Sequence, residues 1–231
     1  MIAMVLALFA GDAHAWQVRT NESGDELRWH KRSIHYTIDT SGDHGLSPNA
    51  IDAMVAAATR NWSTAVDTSL AFVHDGSAPG ATDPHDKKNS IYFDEDWNHD
   101  PALVGLTFVW SRPDGEIVGF DMVLNANDHE WSTDGTEETN DLLNTVSHEL
   151  GHALGIDHSP QFEEATMYPS TFPGEVAKRD LDADDEAAMR YLYTGDMDNP
   201  EAARAGCSTA GTPAHHLGWL MMLPLLARRR S

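Results

Sequence analysis

The sequence predicts an α+β domain, and three observations predict it. Short β-rich runs dominate the first half of the chain. One long stretch with helical spacing is inserted among them, and two more helical stretches follow them. Strands gathered early and helices gathered late describe a sheet with helices packed on it, rather than a repeating strand–helix alternation. The chain has 231 residues and 41% hydrophobic content. That is enough for one domain with a real core, flanked by short terminal segments. No internal repeat divides it.

The elements follow in order. Ser33–Asp39 alternates polar and apolar residues and reads as a strand. Ser47 then offers a side-chain cap, with Pro48 at the first helical position. Ile51, Met54, Val55, Ala58 and Trp62 recur at helical spacing, so a helix should run to about Val66. Leu70–Val73 and Ser90–Phe93 are short strands separated by a polar loop with Gly76, Pro79, Gly80 and Pro84. Leu103–Trp110 and Glu116–Asn125 are β-rich, and the turn Arg112-Pro113-Asp114-Gly115 makes them a hairpin. A loop from Ala126 to Glu138 leads to a helix over Thr139–Gly155, with Leu142, Leu143, Val146, Leu150 and Leu154 on its apolar side. A last helix spans about Asp182–Tyr193, acidic in its first turn and with Arg190 in its last, as the helix dipole favours.

Charge excludes some functions. The chain has 15 basic and 37 acidic residues, a net charge of -22. Setting aside residues 1–15 and 207–231 removes Asp12, Arg228, Arg229 and Arg230, leaving 12 bases and 36 acids, a balance of -24. Nucleic acid and anionic membrane surfaces both require positive charge, so neither is an expected partner. The carboxylates give an acidic solvated surface or, where clustered, ligands for Ca²⁺. Cys207 is the only cysteine and lies outside the domain, so no disulfide supports the fold.

Both ends read as addresses. Residues 1–15 carry an apolar run from Met1 to Ala10 and then Ala13-His14-Ala15, the pattern of a secretory signal peptide cut before Trp16. The domain is expected over 16–195 and a polar linker over 196–206. Residues 207–231 order Gly206-Cys207, a small polar spacer, an apolar run from Leu217 to Ala227 and Arg228–Arg230. Eleven apolar residues broken by Pro224 are too short for a stable membrane span. The order resembles the C-terminal sorting tails of myxobacterial surface proteins. It implies a secreted, surface-anchored product that meets the membrane only through this tail.

The segment that carries chemistry is His148-Glu149-Leu150-Gly151-His152-Ala153-Leu154-Gly155-Ile156-Asp157-His158. Residues four apart on a helix share a face, so His148 and His152 can bind one Zn²⁺ at about 2.0–2.1 Å each. Glu149 sits beside the first ligand and can reach a water at the metal without ligating it. Gly155 can end the helix in a left-handed conformation, after which His158 returns as a third ligand. Three protein ligands leave a fourth position for water, the pattern of a catalytic site.

This string resembles the signature of the metzincin metallopeptidases. Ala165-Thr166-Met167-Tyr168-Pro169 fits the Met-containing turn that follows in that family. Ser159, the Met-Tyr-Pro order, Asp184-Asp185 with Leu192-Tyr193, and Asp121–Trp131 point to its matrixin branch. The resemblance covers about residues 28–195. It implies a twisted, mainly parallel five-stranded sheet with three helices and a cleft across a catalytic zinc. Glu149 would be the general base, Met167 the floor under the histidines, and the substrate a protein or peptide. Gly105, Leu106 and Thr107 would line the backbone of the substrate, and Tyr168 and Pro169 its specificity pocket. A cysteine switch is missing, and the family's structural-zinc histidines are not recognisable. His85, His99 and His129 lie near acids, either as a further metal site or as solvated loop histidines. The expected state is a monomer. The competing classes are a surface binding module that keeps zinc as structure, and a zinc hydrolase of non-peptide substrates.

Overall fold

A computed structural model describes residues 16–42 and 44–194 and the backbone of 219–222. The proposed signal peptide, the linker and Cys207 lie outside these residues. A short strand β1 (Gln17–Val18) is followed by β2 (Ser33–Ile38), whose Ile34, Tyr36 and Ile38 are buried in alternation. Helix α1 (Pro48–Thr64) starts as its sequence requires: the Ser47 side chain accepts a hydrogen bond from the Ala50 amide, with proline at the first position. Its buried stripe of Ile51, Val55, Ala58, Thr59 and Trp62 has helical spacing.

Strands β3 (Ala71–Ser77), β4 (Ser90–Asp94), β5 (Leu103–Ser111) and β6 (Ile117–Asn125) complete the sheet of the domain. Its order is β5-β6-β4-β2-β3. The β2–β3, β2–β4 and β4–β6 pairs are parallel, and the β5–β6 hairpin is antiparallel. That is the mainly parallel five-stranded sheet expected. Gly115, with φ of +86°, supplies the left-handed residue of the hairpin turn, and a Cβ there would meet the Glu26 carbonyl oxygen at 2.3 Å.

Helix α2 (Leu142–Ala153) packs against α1 and β5 and is buried along almost its whole length. It begins three residues later than the periodicity suggests. Asn140–Asp141 (β8) instead pairs in parallel with Trp131–Ser132 (β7), and Asp141 becomes the cap, accepting from the Asn144 amide. Strand β9 (Ile156–Asp157) pairs antiparallel with β1. Helix α3 (Ala183–Tyr193) carries a full capping box between Asp182 and Asp185. The principal core joins the sheet to all three helices around Trp29, Trp62, Phe120, Leu150 and Met189, and a smaller cluster forms around Trp97, Leu103, Leu106 and Val123. A last strand, β10 (Trp219–Met222), pairs antiparallel with β5 and makes a sixth member of the sheet.

Candidate metal centre

Helix α2 presents His148, Glu149 and His152 into the interior, each without measurable solvent exposure. Side chains from two other helices and from the segment before β2 fix its frame. Trp62 Nε1 donates to the Ser147 carbonyl at 2.8 Å, Trp29 Nε1 to Ala153 at 2.9 Å and the Tyr193 hydroxyl to Leu154 at 2.6 Å. The last two carbonyls belong to the helix end, where backbone acceptors lack intrahelical partners. Gly155 then takes φ of +86°, and a Cβ there would lie 2.1 Å from the Leu27 carbonyl oxygen. Only glycine fits that left-handed, crowded exit. The β1–β9 pairing and the Arg19 amide, which donates to the Gly155 carbonyl at 2.8 Å, direct the chain toward His158.

The three rings converge. Their centroids are 4.8–5.2 Å apart, and one ligand atom from each lies within 4.8 Å of the others. His148 Nδ1 lies 2.7 Å from the Thr166 carbonyl and His152 Nδ1 lies 2.9 Å from that of Ile156. Carbonyls only accept, so both Nδ1 atoms carry the proton and both Nε2 atoms turn bare lone pairs inward. His148 Nε2 is buried without a hydrogen-bond partner, and His152 Nε2 lies 3.2 Å from His158 Nε2. Two nitrogens on a tetrahedral zinc, at bond lengths of about 2.0–2.1 Å, stand roughly 3.3–3.4 Å apart. The donor set, the orphaned nitrogen and the spacing therefore fit a zinc ion. Burial, then mutual repulsion, hold His148 and His152 well below the usual histidine range, and burial brings His158 down to about 4. All three are neutral near pH 7, as ligands must be. Among the described residues this is the one grouping of three or more such side chains, and His85, His99 and His129 form no second one. The His129 ring instead meets the Pro101 carbonyl at 3.0 Å.

Glu149 differs from its neighbours. Thr107 Oγ1 donates to its Oε2 at 2.7 Å, while Oε1 has no partner. Burial raises this carboxyl to about 8, opposed by the Thr107 hydrogen bond and by Arg19. A Cβ on Gly105 would stand 3.1 Å from Oε1, so glycine there leaves the carboxylate its space. Gly105 and Thr107 thus border Glu149 from the sheet, and Leu106, pointing to the other face, joins the smaller cluster. Tyr168 and Pro169 are partly buried directly after Met167.

Beneath the helix, Met167 is fully buried, and a Cβ on Gly151 would lie 2.1 Å from its sulfur. The Met turn is held by Asp185, whose carboxylate accepts from the Thr166 amide at 2.8 Å and the Met167 amide at 3.1 Å. Asp184 accepts from the Ser159 hydroxyl at 2.7 Å and from the Trp16 amide at 3.1 Å. The sequence motif indicated the aspartate pair, but not these partners. Thr107 and Arg19 carry no local signal of their link to Glu149, because both reach it only through the tertiary fold.

One helix that carries two of the three converging histidines with a glutamate between them, a glycine exit to the third histidine, and a methionine turn below are the arrangement of the metzincin class of metallopeptidase folds. The Matrixin sequence profile matches residues 28–194, and the chain belongs to that zinc-dependent family. It is 27% identical over 179 residues to matrix metalloproteinase-26 of Homo sapiens, covering 75% of this chain and 62% of that protein. It is 30% identical over 169 residues to matrilysin of Rattus norvegicus, covering 72% and 58%. Karilysin of Tannerella forsythia is 29% identical over 170 residues, covering 72% and 33%. The chain therefore spans less than two thirds of the length of each of these relatives.

Proposed function

We propose that this chain is a zinc-dependent endopeptidase with Glu149 as its general base, acting outside the cell on protein or peptide substrates. The observation that carries the reading is the asymmetry of Glu149. One carboxylate oxygen is anchored by Thr107 and the other has no partner, on the same helix that carries two of the three converging imidazoles. His148, His152 and His158 would hold the zinc, which when bound supplies a Lewis acid that acidifies water and polarises a carbonyl. Glu149 accepts the proton of the attacking water as its oxygen bonds to the scissile carbonyl carbon. It returns a proton to the amine nitrogen as the C–N bond breaks. A carboxyl raised by burial is suited to hold that proton between the two steps.

An extended peptide would run along β5 past Gly105, Leu106 and Thr107, with Tyr168 and Pro169 shaping the pocket beyond the metal. Residues 1–15 would direct export, and the segment from Cys207 would serve sorting or anchoring. The catalytic domain acts as a monomer in this reading.

The test is Glu149→Ala. It should retain about one zinc per chain by elemental mass spectrometry, yet lose at least about 10³-fold in hydrolysis of a quenched fluorescent peptide, as removal of a general base predicts. Full turnover in that variant would remove Glu149 from the mechanism. In parallel, a chelator should abolish hydrolysis and added zinc restore it.

A further inference from the structure

Strand β5 has two edges. One pairs with β6 from Gly105↔Leu124 to Ser111↔Ile117. The other pairs antiparallel with β10, with Trp219 opposite Thr107, Leu220 opposite Leu106 and Met222 opposite Leu103. Strand β10 lies outside the matched family domain, which ends at residue 194. Within that domain β5 is the edge of the sheet. A sheet edge offers a row of backbone N–H and C=O groups, and what it recognises is another extended chain.

The register matters more than the pairing alone. The residues of β5 opposite β10 include Thr107, whose hydroxyl bonds Glu149, and enclose Gly105, whose missing side chain makes room for it. The tail therefore lies along the very stretch that borders the proposed base. Two chains cannot use the same backbone groups of β5 at once. We propose that residues 219–222 occupy the edge of β5 that an extended peptide would otherwise take, so that the C-terminal segment of the chain closes its own cleft. The proposal rests on the peptidase reading for its consequence and on the strand pairing for its substance.

A four-residue strand with three paired residues would bind weakly as a free peptide. Here they are tethered through residues 195–218, and a tether of that length gives an effective concentration on the order of 1 mM. Peptide present at micromolar concentration competes poorly against such a neighbour. The occupant is also uncharged, Trp219-Leu220-Met221-Met222, on a chain of net charge -22. Any event that removes the chain beyond Cys207 would open the edge, so release of the tail and onset of activity become one step.

The experiment uses the full chain in three forms. In a strand, alternate amides face the neighbour, so Leu220→Pro with Met221→Pro removes one pairing amide whichever of the two faces β5. Leu220→Ala with Met221→Ala keeps both amides. Hydrogen–deuterium exchange over residues 103–107 reads the pairing, fluorescence anisotropy of a labelled ten-residue peptide reads access to the edge, and initial rate reads turnover. The proline form should exchange faster at 103–107, bind peptide about tenfold more tightly and turn over about tenfold faster at subsaturating peptide. The alanine form should behave like the parent at 103–107. Unchanged exchange in the proline form, or faster exchange with no gain in peptide binding, overturns the proposal. If exchange and binding rise but none of the three forms cleaves peptide, occlusion stands and the hydrolytic reading falls.

Discussion

Thr107 Oγ1 lies 2.7 Å from Glu149 Oε2 and within 3.2 Å of the Glu149 carbonyl oxygen, so a strand residue sets the orientation of a carboxylate on the helix above it. The contact joins the sheet to the helix at the buried carboxylate that lies between His148 and His152 in sequence. Gly105, two residues earlier on the same face, leaves the other oxygen unobstructed.

Replacing Thr107 by valine keeps the shape and removes the donor. A hydrogen bond to a charged group is worth about 1.5–3 kcal/mol, so kcat/KM should fall about 10- to 100-fold. The hydrogen bond favours the charged carboxylate and lowers its pKa. Its loss must therefore move the acidic limb of the kcat/KM profile to higher pH. A limb that stays in place, with kcat/KM within twofold of the parent, would mean that Thr107 does not act on Glu149.

Gly151 and Met167 pose a contest of signs. In an exposed helix, Gly→Ala stabilises by about 1 kcal/mol. Here the new methyl would sit 2.1 Å from the Met167 sulfur and 3.0 Å from the Trp62 ring. Overpacking costs about 1–3 kcal/mol, and Met167 is fully buried with little space to yield. Gly151→Ala should therefore lower stability in urea and weaken zinc binding. Gly151→Ala combined with Met167→Ala should lose less than the sum of the two single changes, since the second removes what the first collides with. Simple additivity would show that the two residues do not meet.

Most of this frame was legible in the sequence, and the misses share one cause. Strand β2 and helices α1 and α3 have local signals: alternation, Ser47-Pro48, and an acidic first turn with a capping residue. Each appears within a residue or two of its expected place. The histidine triplet likewise lies within eleven residues, so spacing alone brought His148, His152 and His158 together. Thr139–Asp141 read as helix because the apolar period extends smoothly to Leu142, yet a partner outside that segment, Trp131–Ser132, claims Asn140 and Asp141 as strand. Strands β1 and β9 are two residues each and exist only through one another. The β10–β5 pairing joins residues more than a hundred positions apart. No periodicity in a single segment encodes a partner that far away.

Asp185 gives a prediction about pH. Burial raises its carboxyl to about 6 from an ordinary 3.8, although the Asp182, Thr166 and Met167 amides all favour the charged form. A folded-state pKa above the unfolded one means the fold binds the proton more tightly. The contribution to stability is then fully present below about pH 3.8 and is lost as pH rises through 6. Asp185→Asn removes this titration while keeping one acceptor for the Met turn. Between pH 5 and 7, the stability of the parent relative to the asparagine form should fall by about 1–2 kcal/mol, and it should be flat above pH 7. Urea melts of zinc-saturated protein at each pH supply the comparison. A difference that rises with pH across this window would assign the wrong sign to Asp185.

Two ion pairs of the same kind should behave very differently. Arg190 and Glu186 are four apart on α3, 3.1 Å from each other and largely solvated. Such a pair is worth about 0.3–0.5 kcal/mol, and Arg190→Ala should be nearly silent apart from that. Arg179 faces Asp141, whose side chain is fully buried at the N-terminus of α2. Its Nε donates to Asp141 Oδ1 at 2.9 Å, its Nη2 to Oδ2, and Nη2 also to the Thr133 carbonyl at 2.9 Å. Arg179→Met leaves a buried carboxylate with the Asn144 amide as its remaining hydrogen-bond donor among the described contacts. Breaking one side of a buried pair costs about 3–5 kcal/mol, most of it from the charge left behind. Because α2 carries two of the three histidines proposed to hold zinc, the loss should show both as a lower urea midpoint and as faster removal of zinc by a competing chelator. Adding Asp141→Asn neutralises the stranded charge and keeps a cap for Asn144. The double variant should regain about half of the loss, and a double variant no more stable than Arg179→Met would place the cost in the packing of the arginine rather than in the orphaned carboxylate.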